Sequence, residues 1–345
     1  MHYFQKLINE YDKENLFQVL MDTYEQVVAV QNAPCNVAAL TGKSYSHVLI
    51  SGLGGSAIAG DLLKNLLGSQ LKVPVTVNRG YQLPESVHNN TLVILSSYSG
   101  ETEETLSVMH ACKKRGIPFA AISSGGTLAA SVTATDGLLT VPKGFQPRFA
   151  VGLSLFAQIR ILAETGVVGD QSGLFLKAKQ LLEQKSAVYA SDQGKPFKIA
   201  EDLIGVIPII YSAVDTTEAI GYRLKCQFNE NSKLLAFHAV IPEMNHNEIV
   251  GWETFSPQLL HAKVLMLGDR DDHPQTAKRF AICSDIMKKA GAEVITVTSD
   301  EEDYESRFLD LLYLTDWISY YLCLFRARSP IEIDNIHFLK KALVQ

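Results

Sequence analysis

Thr91-Leu92-Val93-Ile94-Leu95-Ser96-Ser97-Tyr98-Ser99-Gly100-Glu101-Thr102 is the stretch whose reading sets the fold. Thr91 to Leu95 read as a buried strand, apolar without a polar alternation. Residues 103–115 carry the spacing of an amphipathic helix. The residues from Ser97 to Thr102 therefore place hydroxyls and backbone N–H groups at a helix N-terminus. Unpaired amides and the helix dipole hold a phosphate there without needing a lysine. Gly100 lets the backbone come close to an anion. The same residue types also suit a plain capped strand–helix junction, where Ser, Thr and Glu are ordinary.

Working outward, strand and helix alternate on both sides. Residues 47–51, 73–77, 118–123 and 137–141 read as further strands, and 56–67 as a helix after a glycine turn. Residues 4–31 read as a leading helix or two, and 150–164 and 171–190 as helices. Residues 191–198, polar with Gly194 and Pro196, read as a linker. The alternation then restarts. Strands are expected at 205–211, 262–267 and 293–298, and helices at 216–228, 273–290, 304–325 and 330–343. Residues 234–240 read as either helical or extended. Helical crossovers between strands imply parallel sheets covered on both faces. The expected fold is thus α/β with two domains, 1–190 and 191–345, each a parallel sheet flanked by helices in an αβα sandwich. Residues 50–61 and 210–222 align loosely, which suggests an old duplication.

A chain of 345 residues is long for one core. Its 47% apolar and 20% charged residues are those of a soluble globular protein. The net charge of −6 gives no reason to expect nucleic acid or an anionic membrane as partner. No apolar run reads as long enough to span a bilayer, and residues 1–14 lack a signal-peptide apolar core. The five cysteines are scattered and odd in number, which suits free thiols in a reducing cytoplasm. The nine histidines show no zinc-site spacing.

A second turn, Gly52-Leu53-Gly54-Gly55-Ser56-Ala57, follows the strand at 47–51. Read as GxGxxA it resembles a dinucleotide fingerprint. The next strand, however, ends in Asn78-Arg79-Gly80 rather than in an acid for a ribose, so only an NADP site served by Arg79 would fit. No Gly-Lys-Ser/Thr follows, which excludes a P-loop. The alternative is that Gly54 and Gly55 open space while Ser56 caps the helix and faces the crevice of Ser97. Both turns lie at carboxyl ends of strands, where open parallel sheets bind ligands. With Ile122-Ser123-Ser124-Gly125-Gly126 added, the set resembles a sugar isomerase (SIS) domain. That resemblance implies a phosphosugar held by Ser56, Ser97, Ser99 and Thr102, with Gly54 and Gly55 close to it.

Isomerising an aldose phosphate needs ring opening, a base to carry a proton between C2 and C1, and charge stabilisation for the enediolate. Glu230 falls where the helix at 216–228 stops, beside Asn229 and Asn231. A helix C-terminus disfavours an anion, so Glu230 is either a solvated carboxylate or a functional one. His246 lies in a polar loop between Asn245 and Asn247, and loops carry many functional histidines and more merely exposed ones. Together, Arg223-x-Lys225-x-Gln227-x-Asn229-Glu230-Asn231 and Pro242-Glu243-x-Asn245-His246-Asn247-Glu248 resemble the bifunctional phosphoglucose/phosphomannose isomerase family from Val48 to Leu343. Leu53 stands where that family often has a methionine. The resemblance implies that Glu230 is the base and that His246 opens the ring across the interface of a homodimer. It implies that Arg148, after Pro147, stabilises the enediolate and that Lys340 lies near the sugar. Alone, Arg148 would read as a loop salt bridge and Lys340 as a solvated lysine.

The resulting expectation is a cytoplasmic aldose–ketose isomerase, an intramolecular oxidoreductase without cofactor or metal. It would interconvert glucose 6-phosphate and mannose 6-phosphate with fructose 6-phosphate through a cis-enediol, in a cleft between domains. The alternatives are another SIS phosphosugar isomerase or a non-catalytic phosphosugar sensor. An NADP enzyme would instead show stabilisation by nucleotide.

Overall fold

The computed structural model describes residues 2–343. Contacts group the chain into two compact units, Asp22–Leu181 and Met1–Met21 with Leu182–Gln345. The helices α1 (His2–Tyr11) and α2 (Leu16–Met21) lead the chain. The unit Asp22–Leu181 then runs through α3 (Thr23–Asn32), β1 (Cys35–Asn36), β2 (His47–Ser51), α4 (Gly55–Leu66) and β3 (Val75–Asn78). It continues with β4 (Thr91–Ser96), α5 (Glu103–Arg115), β5 (Phe119–Ser123), α6 (Gly126–Ala130), β6 (Gly137–Thr140) and α7 (Val151–Glu164). The strand order is β1-β6-β5-β4-β2-β3, parallel throughout except for the two-residue β1, which is too short to announce itself in sequence.

Every residue of β4 is buried, because it has a strand on each side and helices over each face. Leu49, Val93, Leu95, Phe119 and Ala121 form one face and pack with Val108, Met109 and Cys112 of α5. On the opposite face α4 presses Gly60 against Ile50 and Val77. The chain leaves β2 for β3 on one side, then places β4, β5 and β6 on the other. The direction reverses between β2 and β4, which makes their carboxyl ends the ligand-binding position of such a sheet.

The boundary after Leu181 falls within α8 (Ser172–Tyr189), which α9 (Lys195–Asp202) follows. Next come β7 (Ile207–Ala213), α10 (Glu218–Glu230), β8 (Phe237–Ile241), β9 (Ala262–Leu267), α11 (Pro274–Lys289), β10 (Glu293–Val297), α12 (Tyr304–Phe325) and α13 (Asp334–Leu343). These four strands are parallel in the order β10-β9-β7-β8. The reversal between β7 and β9 repeats the one between β2 and β4, in keeping with the loose alignment of 50–61 with 210–222.

Three expectations change. Half of the expected linker 191–198 is helix, since Pro196 in the first turn of α9 is pre-set for a helix start. The leading helices, grouped in sequence with the first domain, pack with the second unit. Phe4 meets Phe197 and Tyr321, Phe17 meets Trp317, and Asp12 caps α2 while accepting from the Tyr320 hydroxyl at 2.8 Å. Finally, α12 is long and apolar enough by length and composition to cross a membrane, contrary to the sequence reading, yet 94% of that window is buried within the protein. Its buried charges are paired: Arg307 with Asp269, Asp310 with Lys185, and Asp316 with Arg223. Within residues 234–240, the part from Phe237 onward is the edge strand β8, and 234–236 lead into it.

Candidate active site

α4 and α5 each follow one of two adjacent parallel strands, so their N-termini open at the same end of the sheet. Each contributes unpaired N–H groups and a positive dipole end. Ser56 stands in the first turn of α4, after Gly54 and Gly55, and is 7% exposed. Its carbonyl accepts from Nε2 of the buried Gln158 on α7 at 2.9 Å.

Ser97 shapes the second turn from inside. Its Oγ accepts from the Gly100 N–H at 3.1 Å and the Thr102 N–H at 3.4 Å, and shares a hydrogen bond with Thr102 Oγ1 at 2.8 Å. Ser97 is therefore almost fully buried, whereas Ser99 is exposed and Thr102 half-buried. The Glu101 carboxylate is engaged by Thr127, accepting from its N–H at 2.6 Å and its hydroxyl at 2.9 Å. Those bonds draw the turn onto the start of α6. Gly100 has φ +75, and a Cβ there would lie 2.0 Å from the Gly125 carbonyl oxygen. Arg148, 5% exposed, belongs to the same unit, in the short turn Pro147–Phe149, with its guanidinium 5.3 Å from the Phe149 ring centroid. Arg79, the residue an NADP reading needs, is paired with Asp61 of α4.

Glu230, His246 and Lys340 belong to the other unit. Glu230 is the last residue of α10. That helix is fixed to α12 by Arg223, whose Nε and Nη2 reach the Asp316 carboxylate at 3.0 and 2.9 Å. Gln227 Nε2 donates to Asp316 at 3.1 Å, and Asn231 Nδ2 to Ser319 Oγ at 3.0 Å. Arg223, Gln227 and Asn231 are spaced four apart, so one face of α10 docks on α12 and carries Glu230 with it. Half of the Arg-x-Lys-x-Gln-x-Asn-Glu-Asn signature is thus scaffolding. Asp316, its partner, escaped the sequence reading. The available signal was a carboxylate inside an apolar helix, which demands a partner. Asp316→Asn is expected to cost about 3–5 kcal/mol in a denaturant titration, because the buried Arg223 guanidinium keeps its charge while losing the carboxylate that balanced it, and the new amide NH2 replaces an acceptor with a donor.

His246 is exposed on a turn held from both sides. Before it, Asn245 donates to Cys283 Sγ at 2.9 Å and accepts from Arg279 at 3.3 Å. After it, Asn247 Oδ1 caps the next turn at the Glu248 N–H, 2.6 Å away. Glu248 accepts from the buried Tyr211 hydroxyl at 2.6 Å, and Trp252 Nε1 donates to that hydroxyl at 3.1 Å. Burial, then Glu248, push the Tyr211 phenol far above its usual range, so it stays a donor. Lys340 is exposed on α13. A cleft of 530 Å³ at the ends of β9 and β10 holds none of the candidate residues. Asp269, Asp272 and Asp300 line it against the single cation Arg270, which makes it a poor phosphate site.

Residues 43–139 match the SIS domain, and residues 192–343 match the bacterial phospho-glucose isomerase C-terminal SIS domain. A bifunctional phosphoglucose/phosphomannose isomerase of Caldicellulosiruptor bescii is 35% identical over 337 residues, covering 96% of this chain and 99% of that one. One of Aquifex aeolicus is 34% identical over 303 residues, covering 87% and 91%. Among solved structures, a hypothetical protein of Thermus thermophilus matches with a TM-score of 0.69 at 14% identity, covering 99% of this chain and 92% of that one, a likeness of fold.

Proposed function

The chain belongs to the bifunctional phosphoglucose/phosphomannose isomerase family, and from that premise we propose how its residues act. It is an aldose–ketose isomerase that interconverts glucose 6-phosphate and mannose 6-phosphate with fructose 6-phosphate. The observation that carries the site assignment is the pair of helix N-termini, α4 and α5, opening at one topological reversal with Ser56, Ser99 and Thr102 beside them. Two dipole ends and several N–H groups suit a dianionic phosphate. Ser97 orders the N–H groups of the turn; of the two hydroxyl protons of Ser97 and Thr102, one closes the bond between them and the other is left for the phosphate.

With the phosphate fixed, the sugar carbons have a defined reach, which is most of what positioning contributes. His246 moves the proton that opens the ring. Its exposure supports service to the sugar bound by the second protomer of a homodimer. Glu230 removes the C2 proton and returns it at C1, forming a cis-enediol. The electron pair shifts within the sugar, so carbon 1 and carbon 2 exchange oxidation levels without an external redox partner. The Arg148 guanidinium balances the enediolate charge. Reprotonation at C2 on either face gives both epimers. Lys340 lies near the sugar, as the family resemblance implies. All five cysteines are free thiols, which supports a reducing, cytoplasmic setting.

Initial rates with glucose, mannose and glucosamine 6-phosphates test the assignment. Turnover of the first two is expected, with no thermal stabilisation by NADP. Tight hexose phosphate binding without turnover would replace the enzyme by a sensor, and turnover of the amino sugar alone would point to another SIS isomerase.

A further inference from the structure

Tyr98 lies between two residues of the phosphate turn, yet its side chain is committed elsewhere. Its hydroxyl donates to the Pro142 carbonyl at 3.0 Å and accepts from the Phe145 N–H at 2.9 Å. One phenol thus closes both ends of the four-residue strap 142–145. Burial raises the phenol's pKa, so it keeps the proton it donates. Its backbone carbonyl, in turn, accepts from the Ser124 N–H at 3.0 Å and hydroxyl at 2.8 Å. The strap leads directly into the turn that carries Arg148, closed by Phe149 N–H to Gln146 O at 2.9 Å. Beyond Arg148 the chain is held again. The buried Gln26 donates to the Phe149 carbonyl at 2.7 Å and accepts from the Leu153 N–H at 3.1 Å. Arg148 therefore sits on a short span anchored downstream on α3 and upstream on the phosphate turn itself.

We propose that Tyr98 is a positioning residue that fixes Arg148 relative to the phosphate anchors, by clamping the strap 142–145 onto the turn Ser97–Thr102. The proposal rests on the reading of Arg148 given above. It separates two jobs around one turn: Ser99, Thr102 and the first N–H groups of α5 hold the anion, while Tyr98 sets where the enediolate-stabilising charge sits. An error of an ångström at such a charge is felt in the transition state more than in substrate binding. The groups left by removing the phenol oxygen lie on an exposed or half-buried strap where water can replace it, so folding is not at stake.

Tyr98→Phe is the test, with Arg148→Ala and the double variant beside it. Tyr98→Phe should lower kcat about tenfold, with KM and the inhibition constant of inorganic phosphate within about twofold of the parent. Arg148→Ala should lower kcat about a hundredfold, and adding Tyr98→Phe to it should cost nothing more, because the two act as one unit. Gly144→Ala perturbs the strap by a different route, since Gly144 has φ +106 with open space around it, and should produce the same kcat-selective loss. An unchanged kcat in Tyr98→Phe, or a Tyr98→Phe effect that persists in full without Arg148, overturns the proposal. So does a loss confined to phosphate inhibition. Wild-type kcat in Arg148→Ala alone removes the reading of Arg148, and the proposal with it, and is recognised without reference to Tyr98.

Discussion

Glu230→Gln is expected to lower kcat about a thousandfold while leaving KM for the hexose phosphates within about threefold, the pattern for loss of a general base. The amide has the shape of the carboxylate but cannot take the C2 proton. Its position should not change, because α10 is set by groups other than Glu230: the Arg223–Asp316 pair, Gln227, and the Asn231–Ser319 bond. Exchange of the substrate's C2 hydrogen with deuterated solvent should fall in parallel with turnover. A variant that binds substrate and still turns over near the parent rate would remove Glu230 as the base.

Gly100→Ala is expected to act at the other end of the sugar, lowering kcat/KM more than a hundredfold, chiefly through KM. Two costs combine. An L-residue at φ +75 is strained by about 1–2 kcal/mol. The new methyl would also stand 2.0 Å from the Gly125 carbonyl oxygen and 2.8 Å from Ser123 Oγ, so the backbones must separate. Separation pulls the turn from the 123–127 loop and breaks the Glu101–Thr127 bonds that hold its N–H groups in register. Competitive inhibition by inorganic phosphate should weaken with KM, and the thermal midpoint should drop. Retained phosphate inhibition would show that this turn is not the anchor.

The strands and helices were readable because their apolar spacing is local. β4 and α12 fall where the spacing puts them, and α5 ends where Gly116 adopts the left-handed cap. Where a segment answers to a distant partner, local spacing is silent. Residues 234–240 read as either helical or extended, because only pairing of Phe237–Ile241 with β7 decides it. Chain order places the leading helices with the first domain, but Phe4 and Phe17 are drawn to aromatics some three hundred residues later. The length and apolarity of α12 say nothing of whether its surroundings are protein or lipid. Its partners among the buried charges say it is packed in protein.

The candidate site divides in the same way. Ser56, Ser97, Ser99, Thr102, Glu230 and His246 stand in motifs whose chemistry is carried by residue type and short spacing, so the sequence alone marks them as candidates for binding a phosphate or moving a proton. It also determined the α/β alternation, since periodicity is written residue by residue. What those groups do at rest is set by contacts formed on folding. Ser97 spends its oxygen on the N–H groups of its own turn, and Glu101 is held by Thr127. Asp316 anchors the helix of Glu230, while Tyr98 and Gln26 hold the two ends of the Arg148 span. A hydrogen bond depends on distance and direction in space, and most of these partners lie tens of residues apart along the chain, where no local pattern records them.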